Sequence, residues 1–202
     1  MIELFDCEQN SDSWLQCRLG LPTASMFSAI LAKGEGKTRK SYMNRLAAEI
    51  VTGEPTETFT SPAMERGHLM EAEARDMYAF MMDAEPQRVG FVKNGDKGCS
   101  PDSLLGSSGI LEIKTQRGDL LVDTLLKNEF PPEHKAQCQG ALWICEREWI
   151  DIAVYWPKLP LFVKRAYREP IYIQNLAEAV DRFNDDLQET VKKIRCYGCS
   201  EK

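Results

Sequence analysis

Apolar and polar positions follow one another along this chain in two rhythms, one near 3.6 residues and one of two, and each predicts its own kind of element. Residues 11–19 read as a short helix that breaks at Gly20-Leu21-Pro22, and Thr23 caps a second helix running to about residue 32. Residues 42–52 form a helix with Leu46, Ala47, Ile50 and Val51 as its buried face and Gly53 past its end. Ser61-Pro62 opens a long helix to about residue 83, the serine as N-cap and the proline in the first turn. Ala63, Gly67, Met70, Ala74, Met77 and Met81 make its core stripe, with Met64, Glu71 and Tyr78 along one border. Further helices are predicted over 119–129, 133–145 and 171–194. The middle one buries Ala136, Gly140 and Trp143 and carries Gln139 on the same face.

The period of two marks the strands. Residues 87–93 read as the strand that starts the sheet, followed by the Asn94-Gly95 turn; 149–156 and 161–167 are two more. Between them, Leu104-Leu105 leads into Gly-Ser-Ser-Gly, a reverse-turn composition, and 110–114 then alternates as a strand. Strands interleaved with helices predict an α/β fold, a central mixed sheet flanked by helices, as one domain over 1–202.

That hairpin also concentrates the chemistry. Glu112 and Lys114 share one strand face, Leu111 and Ile113 take the other, and the turn folds Asp102 back towards them. Two carboxylates and an ammonium then converge at a sheet end. Carboxylate oxygens are hard ligands suited to Mg²⁺, and such an ion polarises a phosphodiester and acidifies a bound water. Lys114 can hold or deprotonate the attacking water, or offset charge on the phosphate. A solvent-facing Glu–Lys pair explains most isolated E-x-K triplets. Pro-Asp followed ten residues later by Glu-x-Lys across a turn favours a nuclease.

The 202 residues suffice for a sizeable core, and 43% hydrophobic with 28% charged residues is ordinary for a soluble globular protein. No apolar run is long enough to span a membrane and no signal-peptide pattern opens the chain, so an intracellular site of action is expected. Seven cysteines, odd in number and scattered, do not form a secreted disulfide framework. Cys196-x-x-Cys199 with Cys7 or Cys17 is a weak metal-staple pattern without a convincing fourth ligand. A net charge of −6 argues against a general nucleic-acid coat but leaves room for a local basic groove. Residues 33–40 read as a flexible loop carrying four positive charges, Lys33, Lys37, Arg39 and Lys40, that is either solvated surface or a contact to a duplex backbone.

The Ser-Pro-Asp…Glu-Ile-Lys segment resembles the PD-(D/E)xK nuclease core. Trp14 to Ser25, with Arg18, Gly20, Thr23 and Ala24 at their places, resembles the W-x-x-x-R-x-G-x-x-T-A-S block of the phage lambda exonuclease (YqaJ viral recombinase) family. Gly67 to Arg75 and Gln137 to Trp143 match its other two blocks, in the same order.

The resemblance implies a restriction-endonuclease-like fold and Mg²⁺-dependent 5′→3′ digestion of linear double-stranded DNA. Mononucleotides would be released and a 3′ single strand left for phage-type recombination by strand annealing. Asp102, Glu112 and the Ile113 carbonyl would hold metal, Glu71 would position a second ion, and Mn²⁺ would be able to substitute. Lys114 would activate water with help from Gln139, or from Gln137 if the helix register slips by two. Arg18, Ser25 and Ser100 would hold the 5′ phosphate, with Arg117 as a further candidate. Lys37, Arg39 and Lys40 are candidate DNA contacts. Met64 is either core packing or an apolar wedge between the strands. The resemblance further implies a single-strand annealing partner, a homo-oligomeric ring, a trimer first of all, and the cytoplasm of a bacterial host of a phage or prophage. A structure-specific endonuclease on the same core, and a non-catalytic DNA-end binding module, are the competing classes.

Overall fold

The computed structural model describes residues 1–32, 36–56 and 62–198, the side chains of 62–65 and 68 excepted. Two sheets organise it. The smaller pairs β1 (Ile2–Phe5), β3 (Phe91–Asn94) and β4 (Lys97–Cys99), all antiparallel. The larger runs β2 (Pro86–Gln87), β5 (Ser103–Leu105), β6 (Gly109–Thr115), β7 (Trp149–Tyr155), β8 (Phe162–Tyr167) in that order. Only β6 and β7 are parallel in this set, so the sheet is mixed as the pattern predicts. A parallel neighbour needs a long crossover. Here it contains α5 (Gly118–Lys127) and α6 (Lys135–Cys145).

Both faces of the large sheet are covered, which is why β7 reads as a nearly continuous apolar run and β6 sends apolar side chains to both faces. On one face Ile110 and Ile150 join Leu142 and Ile144 of α6 and Leu176, Val180 and Phe183 of α7 (Pro170–Arg195). Ile152 and Val154 on that same face of β7 meet Leu121 of α5. On the other face Leu111, Ile113, Ala153 and Tyr155 pack against Ala74 and Tyr78 of α4 (Pro62–Met82). The remaining helices are α1 (Asp12–Arg18), α2 (Phe27–Leu31) and α3 (Lys37–Thr52). A short 3₁₀ turn, Ala24–Met26, lies against α6. The turn and α2 come so close that a Cβ at Gly140 would stand 2.4 Å from the Phe27 ring of α2 and 3.3 Å from the Ala24 Cβ.

Three predicted elements differ. Lys37, Arg39 and Lys40 are not in a loop but in the first turn of α3, which starts at Lys37 instead of near residue 42. Residues 87–93 are not one strand: the chain bends at Gly90, giving β2 to the large sheet and β3 to the small one. The N-terminal segment passes over that bend so closely that a Cβ on Gly90 would sit 2.2 Å from the Cys7 carbonyl oxygen. In α4, Met77 and Met81 are 38% and 51% exposed whereas Ala74 and Tyr78 are buried. Ala74 and Met70 stay on the buried side, so the stripe is rotated by less than the roughly 100° that separates successive residues. The Tyr78 hydroxyl donates to Asp151 of β7 at 2.6 Å, and Arg165 of β8 holds the same carboxylate by two bonds of 2.8 Å. A buried carboxylate needs such partners, and meeting that need turns Tyr78 inward. The same rotation carries Glu71 from the border of the stripe towards the sheet.

Candidate active site

The hairpin is built as its sequence implies: Leu105 pairs with Gly109 across Gly106-Ser107-Ser108, and Ser103 pairs with Leu111. Asp102 lies one residue before that ladder begins. Its Oδ2 accepts the Ile113 N–H at 2.5 Å, so a side chain takes over where the backbone pairing stops. N–H and C=O of one strand residue leave on the same side. The Ile113 carbonyl therefore points to the same edge, towards the Asp102 carboxylate. Three contacts fix the approach to Asp102. Ser103 Oγ donates to its carbonyl at 2.6 Å, Arg75 Nε donates to Ser103 Oγ at 3.0 Å, and Gln9 Nε2 donates to the Pro101 carbonyl at 3.1 Å.

Glu112 is buried on the α6 face of β6, and its Oε1 accepts from Lys114 Nζ at 2.7 Å and from Gln137 Nε2. Glu71, from α4, is ion-paired with Arg75. Desolvation, reinforced by the negative fields of Glu112 and Glu71, pushes the Asp102 carboxyl well above its ordinary range, although Lys114 and the Ile113 N–H oppose this. Burial disfavours the Lys114 ammonium, yet Glu112 and Asp102 outweigh it and hold its pKa above the usual lysine value. Among the described residues no three acidic, histidine or cysteine side chains stand as a ready ligand cluster, because cations occupy Glu112 and Glu71. The donor set nonetheless fits a hard divalent ion: oxygens only, mutually repelling, with an edge carbonyl beside them and room for waters in a cavity lined by Glu71, Arg75, Arg88 and Asp102.

A second polar region adjoins this edge. Arg18 stacks over the Trp14 ring with its guanidinium carbon 3.8 Å from the centroid. Trp14 Nε1 donates to Ser100 Oγ at 2.8 Å, so one indole carries Arg18 on its face and Ser100 at its edge. The Ser25 and Thr23 hydroxyls lie 3.3 Å apart. A cavity of about 270 Å³ is lined by Asn10, Trp14, Arg18, Thr23, Tyr42 and Arg45, among others.

Residues 13–148 match the YqaJ-like viral recombinase domain. The chain belongs to the YqaJ-like viral recombinase family. Its structure is similar to the alkaline exonuclease LHK-Exo from Laribacter hongkongensis, at 26% identity and a TM-score of 0.85, covering 94% of this chain and 98% of that one. A structure of LHK-Exo in complex with dAMP gives 27% identity and a TM-score of 0.86, covering 94% and 100%. A phage related exonuclease from Haemophilus somnus 129PT shares the fold at 13% identity and a TM-score of 0.66, covering 86% and 96%. No curated protein matches the chain.

Family membership sets the frame in which each expected residue is placed. Asp102, Glu112, Ile113, Lys114 and Glu71 meet at the β6 edge, and Arg18, Ser25 and Ser100 gather around Trp14 and Thr23. Gln139 is a correction. It is 1% exposed, its amide donates to the Tyr167 carbonyl at 2.8 Å, and its oxygen accepts the Glu169 N–H at 2.9 Å. Both ends of the amide are committed to the chain between β8 and α7, and Gln137 is the glutamine that reaches Glu112. Arg117 is also corrected: it lies on open surface, bonded through two nitrogens to Asp119 two residues on. Arg39 turns towards α7 instead of a groove, ion-paired with Asp186 at 2.7 Å above the Phe183 ring. Lys37 and Lys40 are exposed on α3. The Met64 side chain, Lys33 and Cys199 lie outside the described residues. Arg45 escaped the sequence reading. Its signal was the Lys37–Ser41–Arg45 spacing of four, which puts a third polar group on one helix face.

Proposed function

We propose that this protein, as one nuclease domain, is a Mg²⁺-dependent exonuclease that degrades one strand of linear double-stranded DNA from its 5′ end. Family membership and exonuclease neighbours support the coarser reading, a nuclease of viral recombinase type. The observation that carries the finer one is the meeting of Asp102, Glu112 and Lys114 at one strand edge, with Gln137 on Glu112 and Glu71 close enough to perturb Asp102. Asp102, Glu112 and the Ile113 carbonyl would hold one Mg²⁺, or Mn²⁺ in its place, and Glu71 a second. When bound, the ions supply Lewis acidity to the phosphate and to the attacking water. Lys114, held as an ammonium beside Glu112, orients that water and offsets the charge that develops on the phosphate. Gln137 keeps Glu112 in place. Arg18, Ser25 and Ser100 hold the terminal phosphate, which registers the scissile bond. The dAMP in the LHK-Exo complex is a deoxynucleoside monophosphate, the product class this reaction releases.

The biological setting we infer is phage or prophage recombination in a bacterial cytoplasm, beside a single-strand annealing protein, by a ring of a few copies, three in the simplest case. A single domain of this size does not encircle a duplex, and a closed ring of head-to-tail contacts does. No described helix is long and apolar enough to cross a membrane.

The test is a linear duplex labelled at either end, incubated with Mg²⁺ or with chelator. The expected result is Mg²⁺-dependent release of mononucleotides from 5′ ends, lost in Asp102→Ala and in Glu112→Ala. Cutting of covalently closed circles would replace this reading with an endonuclease. Full activity in chelator would remove the metal.

A further inference from the structure

The cavity beside Arg18 contains a second guanidinium, that of Arg45 from α3. Its Nε is buried and has no hydrogen-bond partner among the described residues. A buried N–H without an acceptor is uncommon in folded proteins and calls for an explanation. Among the described residues neither arginine is ion-paired with a carboxylate. Arg18 rests on Trp14, and the Arg45 guanidinium carbon lies 5.0 Å from the centre of the Tyr42 ring. Tyr42 is fixed in turn, since its hydroxyl accepts the Thr23 N–H at 2.9 Å. Glu49, the carboxylate on the same cavity wall, accepts backbone N–H groups from Gly20 at 3.0 Å and Thr56 at 3.4 Å. Two cations resting on aromatic rings therefore share one recess. Burial lowers the Arg18 pKa to about 10, and the charge of Arg45 pushes in the same direction, against Tyr42 and Glu49.

The recess shares lining residues with the cavities on both sides. Tyr42 and Arg45 also line a trough of about 390 Å³ that contains Lys37 and Ser41. Asn10 lines both the recess and the cavity that holds Glu71 and Asp102. Arg45 thus stands between the exposed face of α3 and the catalytic edge. An anion there would lie beside both guanidiniums and relieve the repulsion between them. A phosphate offers several oxygens to several N–H groups at once.

We propose that Arg45 is a specificity-determining residue. With Arg18 it forms a paired-guanidinium cradle that selects a terminal 5′-phosphomonoester over a 5′-hydroxyl. This rests on the exonuclease reading above. A second source of the same chemistry, an internal phosphodiester held along α3, is told apart by the test.

Full-length protein carrying Asp102→Asn, to prevent cleavage, is titrated by fluorescence anisotropy with duplexes that differ only in a 5′ phosphate. The active protein is then assayed on the same two ends. Comparing two ends within one variant cancels any loss of folded fraction. Arg45→Gln should shrink the phosphate-over-hydroxyl preference about tenfold in both binding and rate, the scale of one charge-assisted hydrogen bond. Arg45→Lys should restore part of it. Arg39→Gln, the same loss of charge on the same helix but facing Asp186, should leave the preference intact. An equal fall on both ends in Arg45→Gln would assign Arg45 to an internal phosphate and overturn the proposal, as would an unchanged preference. If the unaltered protein digests both ends equally, the cradle is refuted while the nuclease reading stands. A binding preference without any digestion would refute the nuclease reading and leave the cradle.

Discussion

Replacing Gln139 and Gln137 one at a time separates a residue that holds the fold from one that serves the site. Gln139→Leu keeps side-chain volume but removes the acceptor of the Glu169 N–H and the donor to the Tyr167 carbonyl. Each stranded buried group costs about 1–3 kcal/mol. Tyr167 and Glu169 stand near the surface, so water recovers part of this, and a net loss of about 1–3 kcal/mol is expected for the two together. For a chain of this length that lowers the melting temperature by roughly 3–10 °C. Gln137→Leu removes one donor to Glu112, which keeps Lys114 at 2.7 Å, so the cost in stability should stay below about 1 kcal/mol. Activity should instead fall about 10–100-fold, as when a side chain that orients a ligating group is lost. Thermal unfolding followed by circular dichroism and nucleotide release from a linear duplex measure the two effects. A stable but inactive Gln139→Leu beside an active Gln137→Leu would refute this reasoning and return the catalytic role to Gln139.

Two more predictions follow from buried charge. Burial and the nearby Lys114 ammonium hold the His134 pKa below its ordinary value, so the unfolded chain takes up this proton at a higher pH than the native one. The stability contributed by neutral His134 is complete above about pH 6.5 and lost as pH falls through the lowered native value. His134→Gln should therefore flatten the acid limb of a stability–pH profile, and an unchanged slope would count against it. Tyr78→Phe takes one hydroxyl from the buried Asp151 and should cost about 1–3 kcal/mol in denaturant unfolding. Asp151→Ala, which strands both Tyr78 and Arg165, should cost about 3 kcal/mol, the lower end for a broken buried pair because Arg165 is partly exposed. A loss under about 1 kcal/mol for Asp151→Ala would show that the cluster is not what turns α4.

The hairpin and its chemistry were legible because everything that specifies them is local. Turn composition, strand alternation and a Pro-Asp ten residues before Glu-x-Lys lie within one short stretch, and the register Leu105 to Gly109 realises them. The long helices were legible for the same reason. What failed depends on partners far away in the chain. The inward face of α4 was decided by Asp151, some seventy residues beyond Tyr78. The split of 87–93 was imposed by the N-terminal segment packing over Gly90. Gln139 was correctly read as buried, but a helical wheel does not say whether a buried amide meets a catalytic carboxylate or a backbone end. Arg39 and Arg45 belong to the same helix and differ only in which neighbour each meets.

That last contrast explains how an acidic chain presents a basic recess. The charge of −6 is a sum, and the field at any place is set by which charges are cancelled nearby. Arg117 with Asp119, Lys127 with Asp123, Lys135 with Glu169 and Lys193 with Glu189 are paired in the open. Such pairs add little stability, but each removes a cation from the long-range field. Arg39 is removed in the same way by Asp186. Arg18 and Arg45 rest on Trp14 and Tyr42 instead. An aromatic face stabilises a cation without cancelling its charge, so these two keep their field and share it within one recess. The recess is therefore positive for a reason no count of residues contains: its two arginines rest on rings with no ion-paired carboxylate among the described residues, while Arg39, Arg117, Lys127, Lys135 and Lys193 are each paired with one.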